Sequence, residues 1–236
     1  MSNPALNEKT LMKLRDVTDT SKMTISGTIN RAGLLILITI LGAYLGYGQH
    51  SPVIMIGSLI VGIALSLIII FKPHTSPMLA PAYALVEGVL LGSISAVYSV
   101  MYPGIVANAL ILTLSILVLM LSLYRFKIIR VTDRTRSVIV GATMAIAVTY
   151  LVNMVMSFFG TSIPMIHQTG TMGIIFSVVV VGVAAFNLLL DFDMIERAES
   201  QGAPKYMEWY GGFALLITLV WLYMEILRLL GKVNRK

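Results

Sequence analysis

The sequence predicts an all-α polytopic membrane protein of seven transmembrane helices, and not a soluble enzyme. Three observations carry the membrane reading. Of the 236 residues, 57% are hydrophobic and 12% charged. An ordinary soluble domain has about 25% charged residues, so too little charge is present to cover a water-facing surface. The apolar residues fall in runs of about 20, the length a helix needs to cross the hydrocarbon core. Finally, lysines and arginines collect in alternate links between those runs, as membrane topology sorts them.

Residues 1–31 are polar and carry both signs, with Lys9, Lys13, Arg15, Asp16, Asp19 and Lys22. They read as a cytosolic segment. No short basic region followed by an apolar stretch opens the chain, so no cleaved secretory signal is expected. The apolar runs place spans at 32–49, 53–71, 78–101, 105–123, 137–159, 170–190 and 211–230. Residues 32–230 are thus the transmembrane domain and 231–236 a basic tail. A span in lipid must satisfy its own backbone hydrogen bonds, and no closed-barrel alternation is visible, so the spans are helices. Short links at Gly48–Ser51, Lys72–Pro77 and Tyr102–Gly104 make neighbouring helices antiparallel. Pro52, Pro73, Pro77, Pro103 and Pro164 fall at or between helix ends, where a missing N–H is tolerated.

Charge sets the orientation. All of the 17 lysines and arginines except Arg228, Lys232, Arg235 and Lys236 lie on the side of the N-terminus, and the links near His50, Pro103 and His167 have none. By the positive-inside rule that side is the cytosol. Seven spans then put the C-terminus outside, unless the last helix stops short and leaves its basic tail inside. Small residues recur every four positions: Ser58, Gly62 and Ser66; Ala84, Gly88, Gly92 and Ala96; Gly141, Ala145 and Thr149. Such spacing lets helix backbones approach closely in lipid, so all three stripes are expected to be packing faces.

Several function classes drop out. The net charge of +6 follows from topology and does not call for nucleic acid, and with no cysteine there is no disulfide or thiolate chemistry. HExxH, a glycine-rich phosphate loop and a GxSxG elbow are missing. The histidines, His50, His74 and His167, sit in separate loops. No nucleophile–base pair is visible, so neither an enzyme nor a cofactor is expected.

What could act are carboxylates inside spans, which are costly and usually face a cavity or a partner. Glu87 lies near the middle of the third span, without a visible partner in its own helix. Its bland reading is a protonated acid bonded to a neighbouring helix. Glu225 lies in the last span with Arg228 one turn on, and its bland reading is an intrahelical pair. A third group ends the sixth span: Asn187, Asp191, Asp193, Glu196 and Glu199. Acidic residues there oppose the helix dipole. Glu196 and Glu199 read best as a solvated loop start. Asp191 directly follows an apolar run and is the one expected to enter the bundle.

Three segments resemble the Bax inhibitor family, the transmembrane Bax-inhibitor-motif proteins, in its bacterial branch. Ala84–Gly92 (ALVEGVLLG) is similar to the family's third helix, Asn187–Glu196 (NLLLDFDMIE) to the end of its sixth, and Tyr223–Gly231 (YMEILRLLG) to the end of its last. The resemblance implies six helices around a central C-terminal helix and a pH-sensitive calcium leak. It also implies a bacterial inner-membrane location and a pair of aspartates, on the sixth and last helices, that share a proton and bond a basic residue on the second. Asp191 matches the first aspartate and becomes the candidate calcium ligand. Aligned without a gap, the second position holds Thr218. The nearby carboxylates are Glu208 and Glu225, and Lys72 is the positional match for the basic partner. Without a second aspartate, Asp191 could pair instead with Lys72 or Glu87. Asp193 completes the candidate set.

Two functions are therefore carried forward. One is a pH-gated calcium or cation leak lined by Asp191, Glu87 and Glu225, with the ion as permeant. Two carboxylates in contact cannot both ionise cheaply, which supplies the pH response, and ionised oxygens suit calcium. The other is a non-transporting regulator that binds another membrane protein, such as a quality-control protease.

Overall fold

Thr24 opens the first helix, its hydroxyl accepting a hydrogen bond from Gly27 N at 2.9 Å. In this computed structural model, which describes residues 22–49, 51–161, 163 and 170–235, that helix is α1, Ile25–Tyr47. It is followed by α2 (Pro52–Phe71), a single 3-10 turn (Pro73–Thr75) and α3 (Ser76–Met101). Then come α4 (Ile105–Arg125), α5 (Asp133–Phe158), α6 (Thr171–Ser200) and α7 (Met207–Asn234). All seven are long and apolar enough to cross a membrane. His50, Pro164, His167 and the N-terminal residues through Ser21 lie outside the described residues.

Local chemistry sets the ends. Pro52 occupies the first turn of α2, where its missing N–H costs nothing. Gly104, at φ +81°, turns the chain between α3 and α4. Thr132 caps α5, its hydroxyl accepting from Thr135 N at 3.2 Å. Gly202, at φ +67°, lets the chain leave α6.

Three helices, α1, α6 and α7, extend furthest beyond their apolar runs. α1 begins at Ile25 and takes in Arg31, whose guanidinium lies 4.7 Å from the centre of the Trp209 ring on α7. α6 continues to Ser200 because its acidic residues are partnered within the fold, so they are helical and not a loop start. α7 reaches Asn234 and buries Lys232, whose Nζ donates to Gly173 O at 3.0 Å and Ser177 Oγ at 2.8 Å. The helical domain therefore starts before residue 32 and ends after residue 230.

α7 is the centre. Half of its apolar span is buried, against 11% for α2 and for α5. It packs on α1, α3, α4 and α6. α2 is held mainly against α3, and α5 against α6, so these two form an outer layer rather than part of an even ring. The apolar residues exposed along α2, α4 and α5, such as Ile60, Leu114 and Leu151, suit contact with lipid tails.

The closest approach is between α1 and α3. A Cβ on Gly88 would lie 2.3 Å from Thr39 O, one on Gly92 2.0 Å from Ala43 O, and one on Gly46 2.1 Å from Val89 O. The third-span stripe is thus a packing face. The fifth-span stripe is not: a Cβ on Gly141 would meet nothing within 4 Å, and Ala145 is exposed. Spacing alone marks a stripe, but a close contact needs a facing helix that is also small, and α5 has none there.

Both ends of α7 are fixed to opposite faces. Near its start, Glu208 bonds Thr24 at the opening of α1. Near its end, Lys232 bonds the opening of α6. α7 therefore crosses completely, over about 40 Å, and Arg235 lies on the face opposite the start of α1.

Candidate functional site

Asp191 stands on α6 where that helix packs against the middle of α7. Its Oδ2 is buried and has no hydrogen-bond partner. The side chain set against it is Thr218 of α7, whose hydroxyl donates to Ala214 O at 3.3 Å. Thr218 itself is buried. An aspartate normally accepts several hydrogen bonds, and a buried oxygen without one is costly. Nothing about packing between two apolar helices asks for it.

The other candidates are not gathered around Asp191. Glu87 lies between α2 and α3. A Cβ on Gly62 would sit 3.0 Å from Glu87 Oε2, so glycine makes room for the carboxylate. Its neighbour in its own helix is Tyr83, one turn earlier. That ring also packs edge-on against Phe213, with centroids 5.0 Å apart. An i,i+4 tyrosine is easily read as apolar packing, which is why the sequence hid it.

Glu225 is 2% exposed. Both its oxygens accept from Tyr150 Oη, at 2.9 and 3.0 Å, and from Arg228 Nη1, at 3.0 and 3.2 Å. The intrahelical pair is present, but Tyr150 of α5 joins it, and Arg228 also donates to Tyr150 Oη at 2.6 Å. The group ties the outer helix α5 to the centre. Tyr150 carried no signal in the sequence, being one aromatic residue in an apolar run.

Glu208 is a cap. It accepts from Thr24 N at 3.2 Å and Thr24 Oγ1 at 3.1 Å, and Glu199 Oε1 accepts from Ile25 N at 2.8 Å. Two carboxylates thus close the N-terminus of α1, where the dipole favours negative charge. Glu196 accepts from the Tyr124 hydroxyl of α4. Neither Glu196 nor Glu199 is merely solvated, as their position at the end of an apolar run had implied. Asp193 pairs with Arg136 of α5 and, at 2.7 Å, with Arg197 of its own helix. Asn187 donates to Thr143 Oγ1 of α5 at 2.8 Å.

Lys72 is exposed at the end of α2 and makes no ion pair among the described residues. It is not the partner of Asp191, because α2 packs on α3 and not on α6. Among the described residues no three His, Asp or Glu side chains come close enough to hold a metal ion. Calcium at Asp191 would therefore find one carboxylate and the Thr218 hydroxyl, a set suited to passing contact rather than to a resident ion.

The family model described as Bax inhibitor 1 like matches residues 3–235. The chain belongs to that family. No curated protein matches it. Membership covers the three segments that first carried the resemblance, and the structure adds a test of their alignment. The gapless match of the last helix put Thr218 at the second aspartate's position, and Thr218 lies beside Asp191. In this member of the Bax inhibitor family, the α6–α7 site therefore holds one carboxylate and one hydroxyl.

Proposed function

We propose that this protein is a pH-sensitive leak for calcium or related cations, with Asp191 as the titrating group on the path, the N-terminal face in the cytosol and the whole in a bacterial inner membrane. The observation that carries the reading is the buried Asp191 Oδ2 with no hydrogen-bond partner, held between α6 and the central helix. A carboxylate left incomplete at mid-bundle is ready to gain a proton or a cation, whichever arrives. Deprotonation there places a charge in an apolar medium unless water or a cation joins it. That requirement couples pH to opening of the α6–α7 contact. The chemistry needs no catalytic step and no resident cofactor; the ion is the permeant.

One observation favours a second reading. With Thr218 in place of a second carboxylate, the like-charge repulsion that would drive two helices apart is missing. A protein without that drive could instead be a closed regulator that binds another membrane protein.

Calcium flux into proteoliposomes between about pH 6 and pH 8 separates the two. A leak predicts flux that changes with pH in the unaltered protein and loses that dependence in Asp191→Asn. It also predicts that Thr218→Asp steepens the pH dependence by supplying the second carboxylate. Flux no greater than in empty liposomes, from protein shown to be folded, would overturn the leak and leave the regulator.

A further inference from the structure

On the N-terminal face a cavity of about 1080 Å³ lies among α1, α4, α6 and α7. α1 and α4 do not pack against each other, and the cavity is the slot left between them. Its floor is α7, with Gly212, Leu215 and Leu219. Its sides include Ile29 and Gly33 of α1 and Leu117 and Leu121 of α4. Ile29 is 62% exposed and Leu121 48%, so the slot opens sideways, where a membrane protein meets lipid tails. Along α1 the lining runs from Ile25 to Ile36. At helical rise this is about 16 Å, close to the depth of one leaflet, half of a core about 30 Å thick.

The mouth has a different chemistry. Arg125 at the end of α4, with Lys127 and Arg130 in the link to α5, lines it. None of the three has a carboxylate within ion-pair distance among the described residues. The acidic residues at the same mouth are already engaged, Asp193 with Arg136 and Arg197, and Glu196 with Tyr124. Lys127 adopts φ 55°, an uncommon conformation for a lysine. The chain turns there so that Ile129 and Val131 fold back onto the core. Unpaired cations therefore stand at headgroup level above an apolar slot one leaflet deep.

We propose that this slot binds one anionic phospholipid of the leaflet on the N-terminal face. An acyl chain fills the space between α1 and α4, and the phosphate is held by Arg125, Lys127 and Arg130. An apolar peptide helix would leave those cations unanswered, and a soluble anion would leave the slot empty. The site is separate from Asp191, which does not line it, and the proposal stands whether or not the protein conducts ions.

Native mass spectrometry of the full chain in mild detergent tests it. The probes are phosphatidylglycerol, phosphatidylcholine with the same acyl chains, and glycerol phosphate as the free headgroup. Phosphatidylglycerol should be retained in preference to phosphatidylcholine, and glycerol phosphate should not displace it. Retention should fall roughly tenfold or more when Arg125, Lys127 and Arg130 are all changed to Gln, and by a similar factor in Gly33→Phe. A Cβ at Gly33 meets nothing within 4 Å, so that change fills the slot without touching a charge. If Gly33→Phe lowers the melting temperature of lipid-free protein, Ile29→Trp blocks the same slot from an exposed position. Equal retention of both lipids would overturn the proposal. So would displacement by glycerol phosphate, or full retention of phosphatidylglycerol with the slot filled, which would leave surface charge alone as the attraction.

Discussion

Among the described residues Glu225 has its bonds supplied by two side chains, Tyr150 and Arg228, so each partner's loss can be read separately. Removing one member of a buried ion pair leaves the other uncompensated, at about 3–5 kcal/mol. The Arg228 side chain keeps 32% of its surface, so its charge is less enclosed than that of Glu225 and the lower end of that range applies. Glu225→Ala should therefore destabilise the protein by about 3 kcal/mol. Tyr150→Phe, which removes hydrogen bonds to charged groups and keeps the ring, should cost about 2 kcal/mol. Thermal denaturation in detergent measures both, and an unchanged melting point for Glu225→Ala would show that the cluster holds nothing together. At this scale the sequence was a partial guide. Buried carboxylates announce themselves by their cost in lipid, so Glu87, Asp191 and Glu225 were all visible. Their partners were not. Tyr83, Tyr150 and Thr218 are ordinary residues of apolar helices; Tyr83 is one helical turn from Glu87, while only the fold sets Tyr150 beside Glu225 and Thr218 beside Asp191. Thr218 came into view through its alignment with a family position, not through its own chemistry.

Helix contacts show where pattern is sufficient and where it fails. Gly88 and Gly141 sit in stripes that look alike in the sequence. Gly88 faces the α1 backbone near Gly42, while Gly141 faces open space. The information that distinguishes them lies on the other helix, in Gly42 and Gly46 of α1, and so cannot be read from either stripe alone. A matched pair of substitutions separates the two cases. In Gly46→Leu the Cβ would sit 2.1 Å from Val89 O, a backbone atom that cannot swing away. The helices must part, and a loss of about 3 kcal/mol is expected. Gly141→Ala places a methyl in open space and removes a poor helix former, so it should be neutral or stabilising by up to about 1 kcal/mol. Equal losses in both would mean that α1 and α3 do not touch as described. Helix ends follow the same logic. The first apolar run was started after Arg31 and the sixth was ended at Leu190 because the charges beyond them read as polar segments, yet Trp209 receives Arg31, and Arg136 and Arg197 pair with Asp193, so α1 and α6 continue.

For the molecule as a whole, the number of spans was legible because lipid permits few alternatives to a helix, and the central place of α7 came only through the resemblance to a family. The side of the C-terminus was not, since its basic residues contradicted an otherwise clean charge asymmetry. The structure explains the contradiction. Lys232 is buried in the fold, its ammonium held by Gly173 O and Ser177 Oγ, and Arg228 belongs to the Glu225 cluster. Two of the four exceptional cations are thus structural, and they weigh little in a rule about charges in water-facing loops. The consequence is a topology that can be measured directly. The chain has no cysteine, so a single introduced thiol is the only one to react. Lys205 lies in the exposed link between α6 and α7, and Arg235 is exposed just beyond the end of α7. With the N-terminal face in the cytosol, a membrane-impermeant maleimide added to intact cells should label Arg235→Cys. Lys205→Cys should be labelled only after the membrane is opened. Labelling of both from outside, or of neither, would place the two ends of α7 on one side. The full crossing inferred from the Glu208 and Lys232 contacts would then be wrong, and the central position of α7 would need another explanation.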